Sequence, residues 1–369
     1  MARVRQWKAA GLAAVLRQPS TTLLCALRQL PVDDVWELLS SRDSRLPEHV
    51  HERFSKFDPG TLVADTERCG ARVISPGDAE WPAALDDLGA SAPWVLWARG
   101  RSIAGGVGAA IVGSRSCTSY GARMSADLAI GIGGLGYRII SGGALGIDAS
   151  AHRGALSAHA HTVAVLACGV DVAYPAAHHA LFERIVHEGT LISESPPGDH
   201  PTRAAFLIRN RIIAALAQGT VVVEARVRSG ALSTARHAAD LNRMVMGVPG
   251  PVGSAESAGV HELIKHGAQL VTSAADVVSL LAPIGTVDGE VPVASMTEWD
   301  LLSSSERQVY ETFPAKGSVR LAEIRVQLDV ELTTPALLGA LTSLQQRGLV
   351  SEAPDGSWHR VRKPHGAVA

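Results

Sequence analysis

The sequence has few features of a metalloprotein, a disulfide-rich protein or a membrane protein. Its four cysteines lie far apart, with no C-x-x-C pair and no spacing typical of metal ligands. We therefore expect reduced thiols and no bound metal. The segment from Met1 to Leu16 contains neither a run of about 18 apolar residues nor the core of a signal peptide. The sequence thus predicts a soluble, cytoplasmic protein that does not bind a membrane.

A strong excess of charge of one sign is also absent, because the formal net charge is −2. Any affinity for nucleic acid must therefore come from a local cluster of cations and not from the field of the whole molecule. With 46% hydrophobic and 19% charged residues, the composition is that of a globular protein with a real core. The length of 369 residues exceeds one ordinary domain, so we expect about two or three domains.

Residues 1–72 are expected to form a small helical domain. Short apolar segments, such as Leu23 to Leu30, alternate here with Pro31, Pro47 and Pro59, which separate one helix from the next. A simple N-terminal extension of the following domain is the alternative.

Residues 73–282 repeat one unit, in which a short apolar strand, a turn and an amphipathic helix follow each other. Runs such as Ala110 to Val112 are apolar on both faces, as strands of a parallel sheet covered by helices must be. We predict an α/β domain with a doubly wound, extended Rossmann-like and mostly parallel sheet. Its expected strands are Ala109–Gly113, Tyr137–Ser141, Thr162–Ala167, Thr190–Ser193, Thr220–Glu224, Met244–Val248 and Gln269–Thr272.

The remaining chain predicts a linker over residues 283–297 and a winged-helix domain over residues 298–369. The linker is rich in Pro and Gly and lacks periodicity. After it, helices are expected near Ser303–Thr312, Arg320–Gln327 and Thr333–Arg347, followed by strands Leu349–Glu352 and Ser357–Val361. Three helices followed by a hairpin is the order of elements in a winged helix.

Small and polar residues follow several of the predicted parallel strands. Ligands of open parallel sheets bind at the carboxyl ends of the strands, where small residues let backbone N–H groups approach a phosphate. We therefore predict an anion-binding edge, although tight turns alone would need the same residue types. The candidates are Gly113, Ser114 and Arg115, then Ser141, Gly142 and Gly143, and finally Ser229 and Gly230.

A second candidate is the cationic segment that opens a predicted helix, with Arg203, Phe206, Arg209, Asn210 and Arg211. Guanidinium groups bind phosphates and an aromatic ring can stack on a base, which suits single-stranded nucleic acid. Phe206 could equally belong to the core. The arginines on either side of Asn210 cannot share one helical face, so at least one of them could serve as a structural ion-pair partner.

Two further patterns are rejected as sites. Gly131, Gly133 and Gly136 match G-x-G-x-x-G but end a predicted helix instead of opening one, so no dinucleotide cofactor is expected. Asp148 and His152 could form an acid–base pair. A helix cap by Asp148 with His152 packed beside it is the favoured interpretation.

An ordered set of motifs from about Pro76 to Val278 resembles the DNA processing protein A family, also called Smf. The main blocks are Pro76-Gly77-Asp78 with Trp81-Pro82, Val112 to Arg115, Ser141 to Asp148 with Ala151-His152, Val165 to Pro175, Ser193-Glu194, Phe206 to Ile213, Val223 to Ala225, Ser229 to Ala235, Val248 to Gly250 and Gly267-Ala268.

The resemblance implies a non-enzymatic protein that binds single-stranded DNA, forms a homodimer and loads the RecA recombinase during natural transformation. In members with this pattern the DNA pocket is lined by the Gly-Ser-Arg turn, the Ser-Gly-Gly turn and the Phe-x-x-Arg-Asn-Arg helix. The helical N-terminal region resembles the family's sterile-alpha-motif-like domain. Two departures, Ala176 and Leu145 in place of frequent lysines, predict a lower pocket charge, for which Arg203 could compensate.

The alternative function is that of a nucleotide-processing hydrolase on the same fold, similar to the lonely-guy phosphoribohydrolases. Those enzymes use a Pro-Gly-Gly-x-Gly-Thr-x-x-Glu block, which this sequence lacks. In the winged helix, the expected recognition helix carries only Arg347 at its far end, whereas contacts to DNA normally need cationic or amide side chains. We therefore expect that domain to bind protein or to regulate the chain.

Overall fold

The computed structural model describes residues 2–16, 21–282, 302–314, 317–328 and 332–361. The chain forms two compact units, Met1–Asp288 and Gly289–Ala369. The predicted linker over residues 283–297 lies outside the described residues. The predicted domain boundaries therefore stay a prediction.

The N-terminal region consists of short helices whose starts are set by prolines. Pro31 and Pro47 immediately precede two of them, and Pro59 opens a third behind Asp58, whose side chain accepts hydrogen bonds from the N–H groups of Gly60 and Thr61. Proline suits the first turn because its missing N–H would have no partner there. The helices are α1 (Ala2–Val15), α2 (Thr21–Arg28), α3 (Val32–Ser40), α4 (Glu48–Ser55) and α5 (Pro59–Arg68).

A nine-stranded sheet forms the centre of the first unit, in the order β1-β2-β6-β5-β4-β3-β7-β8-β9. Strands β3 to β9 are parallel, whereas β1 and β2 add an antiparallel edge. The strands are β1 (Arg72–Ile74), β2 (Leu96–Gly100), β3 (Gly108–Val112), β4 (Arg138–Ser141), β5 (Thr162–Val165), β6 (Thr190–Ser193), β7 (Gly219–Val222), β8 (Met244–Gly247) and β9 (Gln269–Leu270). The predicted fold class is thereby confirmed, and the antiparallel edge is an addition to it.

Helices cover both faces of this sheet. Ala109 and Ile111 of β3 pack into one layer of the core, and their neighbours Ala110 and Val112 pack into the other. The helices are α6 (Ser119–Gly134), α7 (Ile147–Ser157), α8 (His179–Glu188), α9 (Arg203–Leu216), α10 (Gly230–Asp240), α11 (Ala255–Lys265) and α12 (Ala274–Leu281). Helices α6, α7 and α12 lie on one face, and α9, α10 and α11 lie on the other.

The N-terminal helices pack against the antiparallel edge of the sheet. Ala9 and Ala10 of α1 and Leu62 of α5 share a buried cluster with Trp97 of β2. The indole of Trp97 is fully buried and donates to the hydroxyl of Thr66 on α5 at 3.2 Å. Helices and sheet are thus parts of one compact unit.

The direction of winding reverses at the central strand β3. From β3 the chain adds β4, β5 and β6 on one side, then crosses to add β7, β8 and β9 on the other. Adjacent helices at such a reversal leave on opposite faces of the sheet, which opens a crevice at the carboxyl ends of the two strands. The crevice between β3 and β7 is therefore where the fold favours a ligand.

The C-terminal unit has the three helices and the hairpin that were predicted, with one additional short strand, β10, between the first two helices. Its helices and strands are α13 (Ser304–Glu311), β10 (Val319–Arg320), α14 (Leu321–Gln327), α15 (Thr334–Gln346), β11 (Val350–Glu352) and β12 (Ser357–Arg360). Ser303 and Glu306 cap α13 reciprocally, while Leu341, Leu344 and Trp358 belong to the separate core of this unit. No helix among the described residues of either unit is long and apolar enough to cross a membrane.

Candidate functional site

A pocket of about 600 Å³ opens at the crevice between β3 and β7. It collects residues from the strand ends, from the start of α9 and from the loop before α10. Of the predicted site residues, those that line it are Gly113, Ser114, Arg115, Arg203, Phe206, Arg209, Asn210, Ser229 and Gly230. The other four, Ser141, Gly142, Gly143 and Arg211, lie elsewhere.

The Gly-Ser-Arg turn is held by backbone hydrogen bonds to both neighbouring segments. The N–H of Ser114 donates to the carbonyl of Glu224 at 2.7 Å, and its own carbonyl accepts from the N–H of Ile147 at 3.2 Å. A Cβ at Gly113 would meet Ile147 at 2.5 Å and the Glu224 carbonyl at 2.9 Å, so only glycine fits there. This tight turn carries the exposed side chain of Arg115 to the rim of the pocket.

The first turns of α9 supply an aromatic ring to the same rim. The guanidinium carbon of Arg115 lies 4.5 Å from the centroid of the Phe206 ring, and the ring of Tyr174 lies 5.7 Å away at a tilt of 50°. Phe206 is half-buried, so its ring is neither enclosed in the core nor fully exposed to solvent. Arg203, one turn earlier, is exposed and is the first residue of α9, which the side chain of the preceding Thr202 caps.

Arg209 is buried beneath the pocket and acts as a brace between α9 and the sheet. Its Nη1 donates to the carbonyl of Gly142 at 2.7 Å and also to the carbonyl of Val165. Burial lowers the pKa of Arg209 to about 10, an effect that nearby Asp148 opposes. The side chain is only 4% exposed. Its positive charge can therefore attract an anionic ligand, while its hydrogen bonds hold α9 against the strand ends.

Asp148 completes this brace from the other side. Its buried carboxylate accepts from the N–H groups of Gly142 at 3.2 Å and Ala144 at 3.3 Å. Burial raises the pKa of Asp148, and the positive charge of Arg209 works against that rise. Arg209 and Asp148 thus hold the carbonyl and the N–H of the same glycine, which fixes the loop between β4 and α7.

The Ser-Gly-Gly turn contributes to the pocket only indirectly. Ser141 is fully buried and donates to the carbonyl of Ile111 at 2.6 Å. A Cβ at Gly142 would come within 2.5 Å of the Arg209 guanidinium. The carbonyl of Gly143 accepts from Nδ1 of His178 at 3.1 Å. The structure therefore places this turn behind Arg209, and its glycines make room for that side chain.

Arg211 points to the other side of α9, away from the pocket. It forms a two-pronged ion pair with Glu194, with N–O distances of 2.6 and 2.7 Å, and its Nε donates to the carbonyl of Ser91 at 2.8 Å. Asn210, between the two arginines, faces the pocket and donates to the carbonyl of Gly230 at 3.2 Å. The predicted cationic cluster is thus divided among three directions by the geometry of the helix.

The pocket lining also contains an aromatic residue and two arginines that were not among the predicted site residues, Tyr174, Arg226 and Arg228. The two arginines flank Val227 in the loop between β7 and α10, and both are exposed. Their position in the sequence, between the end of a central strand and the helix start at Ser229-Gly230, could have indicated that they lie at the pocket. Arg226 pairs with Glu256 at 2.6 Å, whereas no ion pair of Arg228 is present among the described residues.

Comparison with known proteins identifies the family. A family model described as DNA recombination-mediator protein A matches residues 72–282. The chain belongs to this family. A putative DNA processing protein DprA from Mycobacterium tuberculosis (strain H37Rv) is 46% identical over 315 residues, which cover 82% of this chain and 80% of that protein. The DNA processing protein DprA of Streptococcus pneumoniae (strain R6) is 42% identical over 170 residues, which cover 46% of this chain and 60% of that protein.

Two solved structures of DNA processing protein A share its architecture. The structure from Streptococcus pneumoniae superposes with a TM-score of 0.62 at 32% identity and covers 75% of this chain and 96% of that chain. A structure from Helicobacter pylori superposes with a TM-score of 0.52 at 29% identity and covers 57% of this chain and 95% of that chain. The latter is described as showing how that protein binds single-stranded DNA.

The positive charge of the pocket comes from arginine side chains. Leu145 and Ala176, at positions where lysine was expected, are both exposed and uncharged. Arg115, Arg203 and Arg228 face the pocket, and none of them has an ion-pair partner within the described ranges. Asp148 is the carboxylate on the lining, and Arg209 lies beside it. The pocket is therefore cationic although the molecule as a whole is nearly neutral.

The two rejected patterns have structural roles in this family member. His152 is fully buried, and its Nδ1 lies 2.7 Å from the hydroxyl of Thr162. Among the described residues, no hydrogen bond joins it to Asp148. The acid–base pair is therefore absent. The predicted cap is wrong as well, because Asp148 binds the N–H groups of the preceding loop instead of those of α7. Gly131 lies in the last turn of α6, where the lack of a side chain lets Ala274 of α12 pack closely against the helix.

Proposed function

We propose that this protein binds single-stranded DNA in the pocket between β3 and β7. The observation that carries the proposal is the stack of Arg115 on Phe206, at 4.5 Å, beside two further arginines that lack ion-pair partners among the described residues, Arg203 and Arg228. Guanidinium groups bind backbone phosphates, and an aromatic ring stacks on any base, so the combination suits a single strand of any sequence. The printed description of the Helicobacter pylori relative supports the same ligand.

The groups around the pocket divide the work of binding. Arg115, Arg203 and Arg228 are exposed and would contact phosphates, whereas Phe206 and Tyr174 offer ring surface to the bases. The helix α10 starts at the pocket, with Ser229 as its cap, and adds the partial positive charge of its N-terminus. Arg209 and Asp148 act as positioning residues, since their hydrogen bonds fix the loop that lies behind the rim.

The further role is the delivery of that DNA to the RecA recombinase by a cytoplasmic homodimer, without catalysis. Membership of the family supports this part of the proposal. The rival role of a nucleotide hydrolase gains no support from the site. Glu224, the carboxylate that follows β7, is 3% exposed and accepts from the N–H and hydroxyl of Thr118 at 2.9 and 2.6 Å. Release of a base from nucleoside monophosphates by the pure protein would favour the hydrolase.

The binding test measures the anisotropy of a labelled oligothymidylate at a series of salt concentrations. Each phosphate contact contributes roughly −0.7 to the slope of log affinity against log salt for single strands. Arg115→Ala, Arg203→Ala and Arg228→Ala should each flatten the slope by about that amount. Arg153→Ala is the matched control, because Arg153 is exposed on α7, on the face of the sheet opposite α9. Wild-type affinity and slope in all three variants would exclude this pocket.

Delivery to RecA is tested separately, with RecA and single-strand-binding protein from the same organism. The readout is the lag before RecA filaments grow on a strand coated with the single-strand-binding protein. We expect this protein to shorten the lag before filament growth, and we expect Arg115→Ala to lengthen it again. An unchanged lag with the wild-type protein would refute RecA loading while leaving DNA binding intact.

A further inference from the structure

A second cleft, of about 790 Å³, lies on the opposite side of α9 from the pocket. Its walls come from the N-terminal helices, from the segment around Trp94 and from α9 and α10. Apolar wall residues include Ala13, Leu16, Trp94 and Ile208. A concave cleft of this size with apolar walls and a few charged groups is typical of a ligand-binding site.

The cleft is cationic. Its arginines are Arg28, Arg53, Arg211 and Arg236, and its carboxylates are Glu194 and Asp199. Glu194 is already engaged by Arg211 in the two-pronged ion pair. Among the described residues, the cleft therefore presents more guanidinium groups than carboxylates, and an anion is the ligand that would balance them.

Arg28 is the clearest sign of an anionic ligand. Its guanidinium stacks on the ring of Trp94 at 4.0 Å and donates to the carbonyl of Ala92, but within the described ranges it has no ion pair. Burial, with the charge of Arg211 as a second cause, lowers the pKa of Arg28 to about 9, and the carboxylate of Glu194 opposes this change. Its Nε is buried and has no hydrogen-bond partner in the part of the chain that the structure describes. A cation kept in this position is stabilised once an anion lies next to it.

The cleft and the pocket meet at one residue of α9. Leu207 lines both cavities and is 54% exposed, so the residues that the structure describes leave the ridge between them open. Arg203 and Phe206 face the pocket from this helix, and Ala205 and Ile208 face the cleft. A flexible anionic chain that fills the pocket can therefore cross at Leu207 and enter the cleft.

We propose that the single strand held in the pocket continues over Leu207 into this second cleft, where Arg28 and Arg236 bind its phosphates. The inference rests on the proposed function of the pocket. The apolar walls would receive bases, and the stacked Arg28–Trp94 pair would present a flat cationic surface to one of them. The N-terminal helices thereby become part of the DNA-binding surface.

Oligonucleotide length separates the two cavities experimentally. Affinities are measured for oligothymidylates of about 4 and about 16 nucleotides, the range of site sizes in single-strand-binding folds. The variant is Arg236→Glu, since Arg236 is exposed on α10 and lacks an ion pair among the described residues. Arg153→Glu on α7 is the matched control for the change in net charge. Arg236→Glu should weaken the longer oligonucleotide about tenfold and the shorter one less than about twofold.

Three outcomes decide the matter. If Arg236→Glu affects both lengths no more than Arg153→Glu does, while Arg115→Ala weakens both, the cleft is not a DNA site and the pocket stands. If the wild-type protein retains neither oligonucleotide, the proposed function and this inference fail together. If the loss is confined to the longer oligonucleotide, the continuous path is supported.

Photo-cross-linking gives a readout that does not depend on a variant that folds. A photoreactive thymine is placed at successive positions of the longer oligonucleotide, and the linked peptides are identified by mass spectrometry. We expect one position to link to the peptide with Phe206 and a position several nucleotides away to link to peptides with Arg28 or Trp94. Links to the pocket alone, at every position, would overturn the inference.

Discussion

Helix α9 begins at the edge where open α/β sheets bind their ligands, and α15 occupies the place of a recognition helix, yet the two helices differ in charge. Helix α9 starts at the carboxyl edge of the sheet with Arg203, Arg209 and Arg211. Helix α15, in the position of a winged-helix recognition helix, has no charged residue from Thr334 to Gln346. The difference teaches that position in a fold offers a binding surface, while side chains decide whether nucleic acid can use it.

The two helices also use their remaining charges differently. In the first unit, one arginine of α9 is a buried brace, one is ion-paired and one is exposed at the pocket. In the C-terminal unit, Arg347 follows α15, and its Nε lies 4.0 Å from Glu306 on α13. Leu338 is 46% exposed on α15. We propose that this unit binds protein or regulates the chain.

The largest effect is expected from the loss of the buried brace. Arg209→Met would leave the carboxylate of Asp148 buried without its nearby cation, and the carbonyls of Gly142 and Val165 without their donor. We expect the free energy of unfolding of the first unit to fall by about 3 kcal/mol. Urea denaturation measures it. Arg153→Met, at an exposed position, should change stability by less than about 0.5 kcal/mol. Equal stability of the two variants would contradict the brace.

The next effect is the loss of folding stability at acidic pH. Burial lowers the pKa of His152 to about 3, whereas an unfolded histidine titrates near pH 6.5. Between these values the unfolded chain binds one more proton than the folded chain, so stability is lost as pH falls from 6.5. The loss is about 1.4 kcal/mol per pH unit, or about 2 kcal/mol at pH 5. Denaturation at pH 5 and pH 7.5 checks it.

A control at the same position isolates this histidine. His152→Gln removes the titrating group and keeps a polar side chain near Thr162. Its stability should depend less steeply on pH than that of the wild type. Some slope should remain, because burial also lowers the pKa of His161, to about 4. An identical slope in both proteins would mean that His152 accepts a proton in the folded state.

A smaller effect separates stacking from charge at the pocket. Phe206→Leu removes the ring beside Arg115 but no charge, so single-stranded DNA should bind about tenfold more weakly at every salt concentration. The salt slope should stay at the wild-type value, in contrast to Arg115→Ala. Phe206→Trp is the conservative control and should retain most of the affinity. A changed slope in Phe206→Leu would show that the ring acts by positioning Arg115.

Much of the fold was readable because its signals are local. Residues Ala110 to Val112 are apolar on both faces whatever surrounds them, and the structure buries both faces. The antiparallel strands β1 and β2 were not predicted, because the helices that bury them are distant in the sequence. Trp97 of β2 is buried by α1 and α5 and bonded to Thr66, contacts that no local pattern encodes.

The site was readable where position alone determines direction. Arg115 follows the central strand and Arg203 opens a helix, so both had to lie at the edge where a ligand binds. The direction of the Arg211 side chain depends on its ion pair with Glu194, a residue that only the tertiary fold brings close to it. Arg226 and Arg228 were overlooked because they lie in a loop, where no periodicity marks the side that faces the pocket.

The smallest effect is expected at α15, the uncharged helix of the C-terminal unit. Arg347→Ala removes the cation next to α15, but its Nε lies near Glu306 and the helix offers phosphates no other charge. The affinity for single-stranded DNA should therefore change less than about twofold, and the salt slope should not change. Arg228→Ala, measured in parallel, supplies the positive control from the pocket. A slope flattened equally by both variants would mean that the C-terminal unit contacts the backbone, and DNA binding would then extend beyond the sheet.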